Sequence, residues 1–280
     1  DRTGSYPCPF VQGIPSIVKA AIDLDGVEVL DPIINFSFEG YAKSRQLQQL
    51  GQKIGAGKAA INKAIQAAYQ AQNQFYSKLR QRGNEVLADL GPDEPAIVVT
   101  SRSYNSCDRS ISMDIPNKLR DCGMKVIPLD FLPLETVDLS QQWPNLYWEF
   151  GDRIISAAKI IREDARLYPA YLTNFGCGPD SFILQYFERE MDKPFLKIEI
   201  DEHTGGAGVV TRCEAFIDSL KNYRKTAHTP GPEPYLAPVS FKKGDRRTLY
   251  IPYMSDGSYA IQAAFKSVGI DSEVMISDDE

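Results

Sequence analysis

The sequence predicts an α/β fold with helices covering a parallel sheet. Two observations carry this. Short apolar runs of strand length, 96–100, 124–129, 168–172 and 194–200, alternate with helical patterns over 115–122, 143–163, 181–190 and about 209–220. Strands separated by helices pair in parallel and need cover on both faces. A third strand–loop–helix–strand run, 247–276, repeats the pattern near the end of the chain. A long helical region from about Tyr41 to Leu90 precedes the first unit and is expected to brace the domains.

The 280 residues are enough for two domains at roughly 100–200 residues each. A formal charge of -6 argues against a nucleic-acid partner, whose footprint is basic and clustered. The mean hydropathy of -0.30 is that of a globular protein, and no apolar run approaches the roughly 20 residues of a membrane span. Residues 1–12 lack the charged start and apolar core of a signal peptide, and the first residue is Asp1. Five cysteines cannot all pair as disulfides. Reduced thiols or metal ligands are expected, with a cytoplasmic location. The expected domains are a cysteine loop and long helical region over 1–90, an α/β domain over 91–225, a linker over 226–245, and the start of a further α/β unit over 246–280.

In chain order, Cys8 stands between Pro7 and Pro9, which stiffen its backbone. Gly13 and Pro15 then open a helix from Ser16 to Ile22. Residues 27–30 and 33–38 read as strands. In the long helical region Ile61, Ile65, Ala68, Phe75 and Leu79 share one face. The stretch Gly51 to Ala59 resembles a phosphate loop but has five residues between Gly51 and Gly57 instead of four. It also has Ala59 where a metal-binding hydroxyl is needed, and no strand before it.

The strand 96–100 delivers the loop 101–109, which lies where open α/β sheets bind ligands. Arg102, Tyr104, Asn105 and Asp108 are candidates there for contact with a substrate or a neighbouring subunit, against a solvated polar loop. Cys107 and Cys122 read as ordinary cysteines, and Gly123 ends the helix before it. In the next helix Phe150, Ile154, Ala157, Ala158 and Ile161 face inward.

Cys177 falls on the turn from the strand 168–172 to the helix 181–190, with Gly176 and Gly178 beside it and Pro179 at a helix start. Free N–H groups and the helix dipole at such a point favour a thiolate. An inert buried cysteine is the alternative. Strand 194–200 ends at Asp201, Glu202 and His203, which read as acid/base or outer-sphere partners, or else as a helix cap with an ion pair to Arg212. Cys213 lies inside the following helix. The chain stops after one β-α-β unit beyond the linker, so that unit is expected to lack strands.

Several strings together resemble the 2-hydroxyacyl-CoA dehydratase and benzoyl-CoA reductase superfamily. They are Cys8-Pro-Phe-Val-Gln-Gly-Ile-Pro15, Ser103-Tyr-Asn105 with Asp108 and Ile115-Pro116, Asn174-Phe-Gly-Cys-Gly-Pro-Asp-Ser-Phe182, and Asp201-Glu-His203 with Ala207-Gly208 and Thr211-Arg-Cys-Glu-Ala-Phe216. More narrowly, they are similar to the dehydratase-like half of large CoA-substrate-specific enzyme activase fusion proteins, over residues 6 to 276. The resemblance implies stacked flavodoxin-like (Rossmann-like) domains and an iron–sulfur cluster held by three cysteines per unit. Cys8 and Cys177 match two of these, and the third is implied upstream of Cys8. A [4Fe–4S] cluster is the first expectation and a double cubane the alternative, with the cluster allowed to be absent from this stretch alone. The implied partners are an ATP-hydrolysing activase domain or subunit and an acyl-CoA or other small-molecule substrate; a homodimer is left open. Cys8 and Cys177 are expected to approach each other, and Cys107, Cys122 and Cys213 not to join them.

Overall fold

The computed structural model describes residues 9–32, 42–146, 148–174, 177–223 and 246–275. The chain divides into two compact units, residues 1–233 and 234–280. The first is an α/β unit whose four-stranded sheet has the order β2-β1-β3-β4, with β1 Ala96–Thr100, β2 Lys125–Pro128, β3 Leu167–Asn174 and β4 Leu196–Ile200. All its pairings are parallel, as expected. The fold is Rossmann-like, and the order is that of the flavodoxin-like arrangement. The chain leaves β1 for one neighbour and comes back to the other, so the direction of winding switches between β1 and β3.

Ahead of the sheet come α1 (Pro9–Ala21), α2 (Ala42–Lys53) and α3 (Lys58–Ala88). Three expectations change here. The first helix starts at Pro9 rather than Ser16, since proline suits an opening position. Residues 27–30 form no strand: Val27 and Leu30 face solvent, and no other described strand pairs with them. The expected strand 33–38 lies outside the described residues. The long helical region is two helices, broken where Gly55 takes φ +78. The phosphate-loop lookalike is therefore a helix–helix turn. Gly51 packs inside α2 against Ile61, where a Cβ would lie 2.6 Å from the Ile61 side chain. Of the predicted inward face of α3, Ile61 is buried but Phe75 is 55% exposed, so the middle of the helix does not face the core.

The far end of α3 does dock. At Gly83 a Cβ would run into the Phe131 carbonyl oxygen and lie 2.9 Å from its Cα. Gly83→Ala is expected to destabilise the first unit by about 1–3 kcal/mol despite the better helix propensity of alanine. Urea unfolding measures it.

Around the sheet run α4 (Ser103–Cys107), α5 (Ile115–Asp121), α6 (Glu149–Glu163), α7 (Gly178–Glu190) and α8 (Gly206–Asn222). The helix expected from Trp143 starts at Glu149. Two 3-10 turns, Leu129–Phe131 and Leu134–Thr136, occupy part of the connection, and Trp143 packs into the core. Alternate residues of the strands feed two cores. Val98, Tyr171 and Ile127 pack with Ile154, Ile161 and Phe187 on one face. Ile97, Val99, Leu172 and Ile198 pack with Leu119, Cys213 and Phe216 on the other. This is the double cover a parallel sheet needs.

A smaller ion pair supports the edge of this unit. Arg166 holds the Asp164 carboxylate with a hydrogen bond of 2.7 Å and pulls its pKa below the ordinary value. A depressed carboxylate pKa adds stability above the unfolded value of about 3.9, and that stability is lost as pH falls through the folded value. Asp164→Asn is therefore expected to lower stability at pH 7 and to have no effect well below pH 3, in a pair of pH-stability curves.

The second unit contains β5 (Leu249–Pro252), α9 (Gly257–Ser267) and β6 (Ser272–Met275). The two strands pair in parallel, with Ile251 and Val274 buried. The expected linker, 226–245, lies outside the described residues.

Candidate functional site

The winding of the sheet opens a crevice beyond the carboxyl ends of β1 and β3. Cys177 sits there. It follows the end of β3 and forms the N-cap of α7, with its N–H donating to the Asn174 carbonyl at 3.2 Å. Ser181 N–H donates to the Cys177 carbonyl at 3.0 Å, which starts the helix. Cys177 is half-buried, and where a Cβ on Gly178 would stand there is open space within 4 Å.

Beneath it lies a polar network that the residue types alone did not reveal. Arg102, just past the end of β1, is 7% exposed and Asp180, in the first turn of α7, is 1% exposed. Arg102 Nη2 donates to Asp180 Oδ2 at 2.7 Å and to Asn174 Oδ1 at 3.0 Å. Arg102 Nη1 donates to the Tyr104 hydroxyl at 2.6 Å. With its amide carbonyl turned to the guanidinium, Asn105 accepts from Arg102 Nε at 3.2 Å and its NH2 donates to Asn174 Oδ1 at 3.0 Å. Thr173 Oγ1 donates to Asp180 Oδ2 at 3.0 Å, and Ser101 Oγ ties the end of β1 to the Leu172 carbonyl at 2.7 Å. Burial pushes the Asp180 carboxyl above its ordinary value, against the opposing pull of Arg102, Thr173 and the Asn174 backbone. Tyr171, fully buried on the same face of β3 as Thr173, has a hydroxyl without a hydrogen-bond partner among the described residues. Burial drives its pKa far up, and Asp180, Arg102 and Cys177 all lie within its electrostatic reach.

The predicted residues separate into distinct places. Arg102 and Asn105 turn inward, while Tyr104 keeps one side exposed and packs edge-on against Phe150 with ring centroids 5.6 Å apart. Asp108 accepts from the N–H groups of Ser110 and Ile111 at 2.9 Å and so shapes its own loop. At the end of β4, Thr204 Oγ1 and the His203 N–H hold the Asp201 carboxylate below its ordinary value. Glu202 and His203 stand in solvent, their side chains 3.7 Å apart. Among the described residues Arg212 makes no ion pair with Glu202; its guanidinium donates to the Lys197 carbonyl of β4. The cap of α8 is Gly205, without a side-chain hydrogen bond.

A cleft of about 410 Å³ lies beside the turn, lined by Ser110, Ile111, Met113, Asn174, Ile200, Asp201, Glu202 and Thr204. One wall carries backbone strain: Met113 and Asp114 both have positive φ, 50 and 56. Arg109 and Asn117 on Asp114, and Lys118 on the Met113 carbonyl, hold that conformation.

Of the other cysteines, Cys107 is exposed and Cys122 caps α5. Cys213 is buried in the core, where burial pushes its thiol up to about 11. Cys8 lies outside the described residues. Among the described residues no three His, Cys, Asp or Glu side chains converge as metal ligands. No helix among these residues is long and apolar enough to cross a membrane.

No curated protein and no solved structure matches the chain. Residues 1–132, a little under half of it, match the family model described as the CoA enzyme activase uncharacterised domain. That stretch includes Cys8, Arg102, Tyr104 and Asn105 and ends ahead of β3 and Cys177. Over its first 132 residues the chain is thus similar to a domain of activase-related proteins.

Proposed function

We propose that the chain belongs to an iron–sulfur enzyme of low-potential electron transfer, of the 2-hydroxyacyl-CoA dehydratase type, energised by an ATP-hydrolysing activase domain or subunit. The observation that carries this reading is the position of Cys177: a half-buried thiol at a glycine-flanked helix start, in the crevice where the sheet changes winding direction. The activase-related similarity of residues 1–132 supports it. Cys8 and Cys177 are the proposed ligands. When bound, the cluster supplies one-electron chemistry whose potential depends on nearby hydrogen bonds, charge and solvent access. The chain contributes the N–H groups of the first turn of α7, a buried neutral ion pair below the turn, and apolar cover from the β3–α7 core.

The cleft at Asn174 is the proposed entry for the substrate. Its lining has Asp201 and Glu202 but no lysine or arginine. An acyl group fits such a lining, whereas the phosphates of a CoA carrier would have to lie outside it. Iron and acid-labile sulfide analysis of anaerobically purified native protein tests the reading. Iron and sulfide in equal amounts are expected, lost in Cys8→Ser and Cys177→Ser and retained in Cys122→Ser. Protein free of iron in every preparation would leave a non-catalytic α/β scaffold.

A further inference from the structure

Arg102 has the chemistry of a ligand-binding cation and a location that suits one, yet its geometry assigns it elsewhere. Its side chain is 8% exposed, and its N–H groups are turned to Asp180, Asn174, Tyr104 and Asn105. An anion entering the crevice would find the charge already neutralised by Asp180 at 2.7 Å. What the guanidinium does reach is both ends of one turn. Asn174 is the last residue of β3, and Asp180 belongs to the first turn of α7; Cys177 lies between them. One nitrogen, Nη2, bonds to both.

We propose that Arg102 is the positioning residue for the Cys177 turn: from the end of β1 it clamps Asn174 and Asp180 and so fixes the direction of the Cys177 sulfur. This deepens the function proposed above and rests on that reading for its purpose, though the clamp itself is a matter of geometry. Three features support it. The rigid planar guanidinium reaches Asp180, Asn174, Tyr104 and Asn105 at once from nitrogens held in one plane, an arrangement a single ammonium nitrogen does not reproduce. A buried ion pair is poor value as a stabiliser, since well-packed apolar residues do as well, so its use here points to placement. Independently, the fully buried Tyr171 hydroxyl in the same neighbourhood has no acceptor among the described residues. A buried donor without an acceptor is costly unless the site takes up a group that meets it. The clamp and the unpaired hydroxyl thus share the electrostatic neighbourhood of Asp180 below the Cys177 turn.

The test measures alkylation of individual cysteines by iodoacetamide in the protein free of iron, at one pH, by mass spectrometry. Exposed Cys107 is the reference and buried Cys213 reports on the fold. In Arg102→Lys the rate at Cys177 relative to Cys107 is expected to change about tenfold, the scale of one lost charge-assisted hydrogen bond. Cys213 should stay protected. Asn174→Ala, which leaves the Arg102–Asp180 pair in place, is expected to change the Cys177 rate in the same direction by a smaller factor. An unchanged Cys177 rate with Cys213 protected in both variants overturns the proposal. So does a parallel rise at Cys177 and Cys213, which would mark general loosening. A second arm compares the resonance spectra of iron-loaded native protein and Arg102→Lys, where altered g-values are expected and identical spectra count against the clamp. If the native protein takes up no iron, the proposed function fails, while the alkylation result still decides the clamp.

Discussion

Replacing Arg102 with methionine is expected to lower the stability of the first unit by about 3–5 kcal/mol at neutral pH, because the partner carboxylate stays buried without its cation. Asp180 is 1% exposed, and its other donors, Thr173 Oγ1 and the Asn174 backbone, are neutral. The loss should depend on pH in a defined direction. Burial already raises the Asp180 pKa in the folded protein. A carboxyl with a raised folded pKa costs nothing below its unfolded value of about 3.9, where both states are protonated, and costs more as pH rises through the folded value. Removing Arg102 raises that folded value further. The gap between native protein and variant should therefore be small near pH 4 and widen toward neutrality. Urea unfolding at several pH values measures it, and Arg102→Met with Asp180→Asn should recover part of the loss, since no charge is then stranded.

Lys193 carries the second large effect. Its ammonium is buried and donates to three carbonyls, Ile161 at 2.6 Å, Asp164 at 2.5 Å and Leu167 at 3.3 Å. Ile161 lies in the last turn of α6 and Asp164 is its C-cap, so the charge also meets the negative end of the helix dipole. The Tyr168 ring lies 5.6 Å from the nitrogen. Lys193→Met keeps much of the volume and leaves the carbonyls without this donor. About 3 kcal/mol of destabilisation is expected, since hydrogen bonds to charged groups contribute roughly 1.5–3 kcal/mol. Lys193→Arg should not restore it, because a planar guanidinium cannot converge on three oxygens arranged for a point charge. Thermal unfolding of the three proteins side by side shows the order.

The sheet was legible because its strands are apolar runs with helical patterns between them. Ala96–Thr100 is buried along its whole length, as a central parallel strand must be. The Cys177 turn was legible for a similar reason, since glycine and proline mark the chain reversal directly. Less could be read ahead of residue 90. The helical spacing of Ile61 and Phe75 put them on one face, but among the described residues the close packing of α3 is at its ends, at Ile61 and Gly83. Periodicity states which residues share a side, and does not supply what covers them. Val27–Leu30 failed likewise, because a strand needs a neighbour that a local pattern cannot name.

The site divides along the same line. Arg102 and Asn105 were recognisable as chemistry-bearing residues at a strand end, but their inward orientation depends on Asp180, which is 78 positions away. The signal that was available is small: a charged residue directly after a buried strand, and an acid in the first turn of a helix starting beside the neighbouring strand. Arg212 shows the opposite error. Its spacing suggested an ion pair with the acidic loop, while the Lys197 carbonyl competes for the guanidinium. Lys193 gave no local cue at all, since its three acceptors come from the end of α6, its C-cap and the start of β3.

The central claim, that the turn at Cys177 holds an iron–sulfur cluster, is tested most directly by electron paramagnetic resonance of dithionite-reduced native protein, purified anaerobically, beside its Cys177→Ser variant. The account predicts an iron–sulfur signal in the native protein that disappears in Cys177→Ser and persists in Cys122→Ser. The same signal in native protein and Cys177→Ser, or no such signal in native protein, would contradict it.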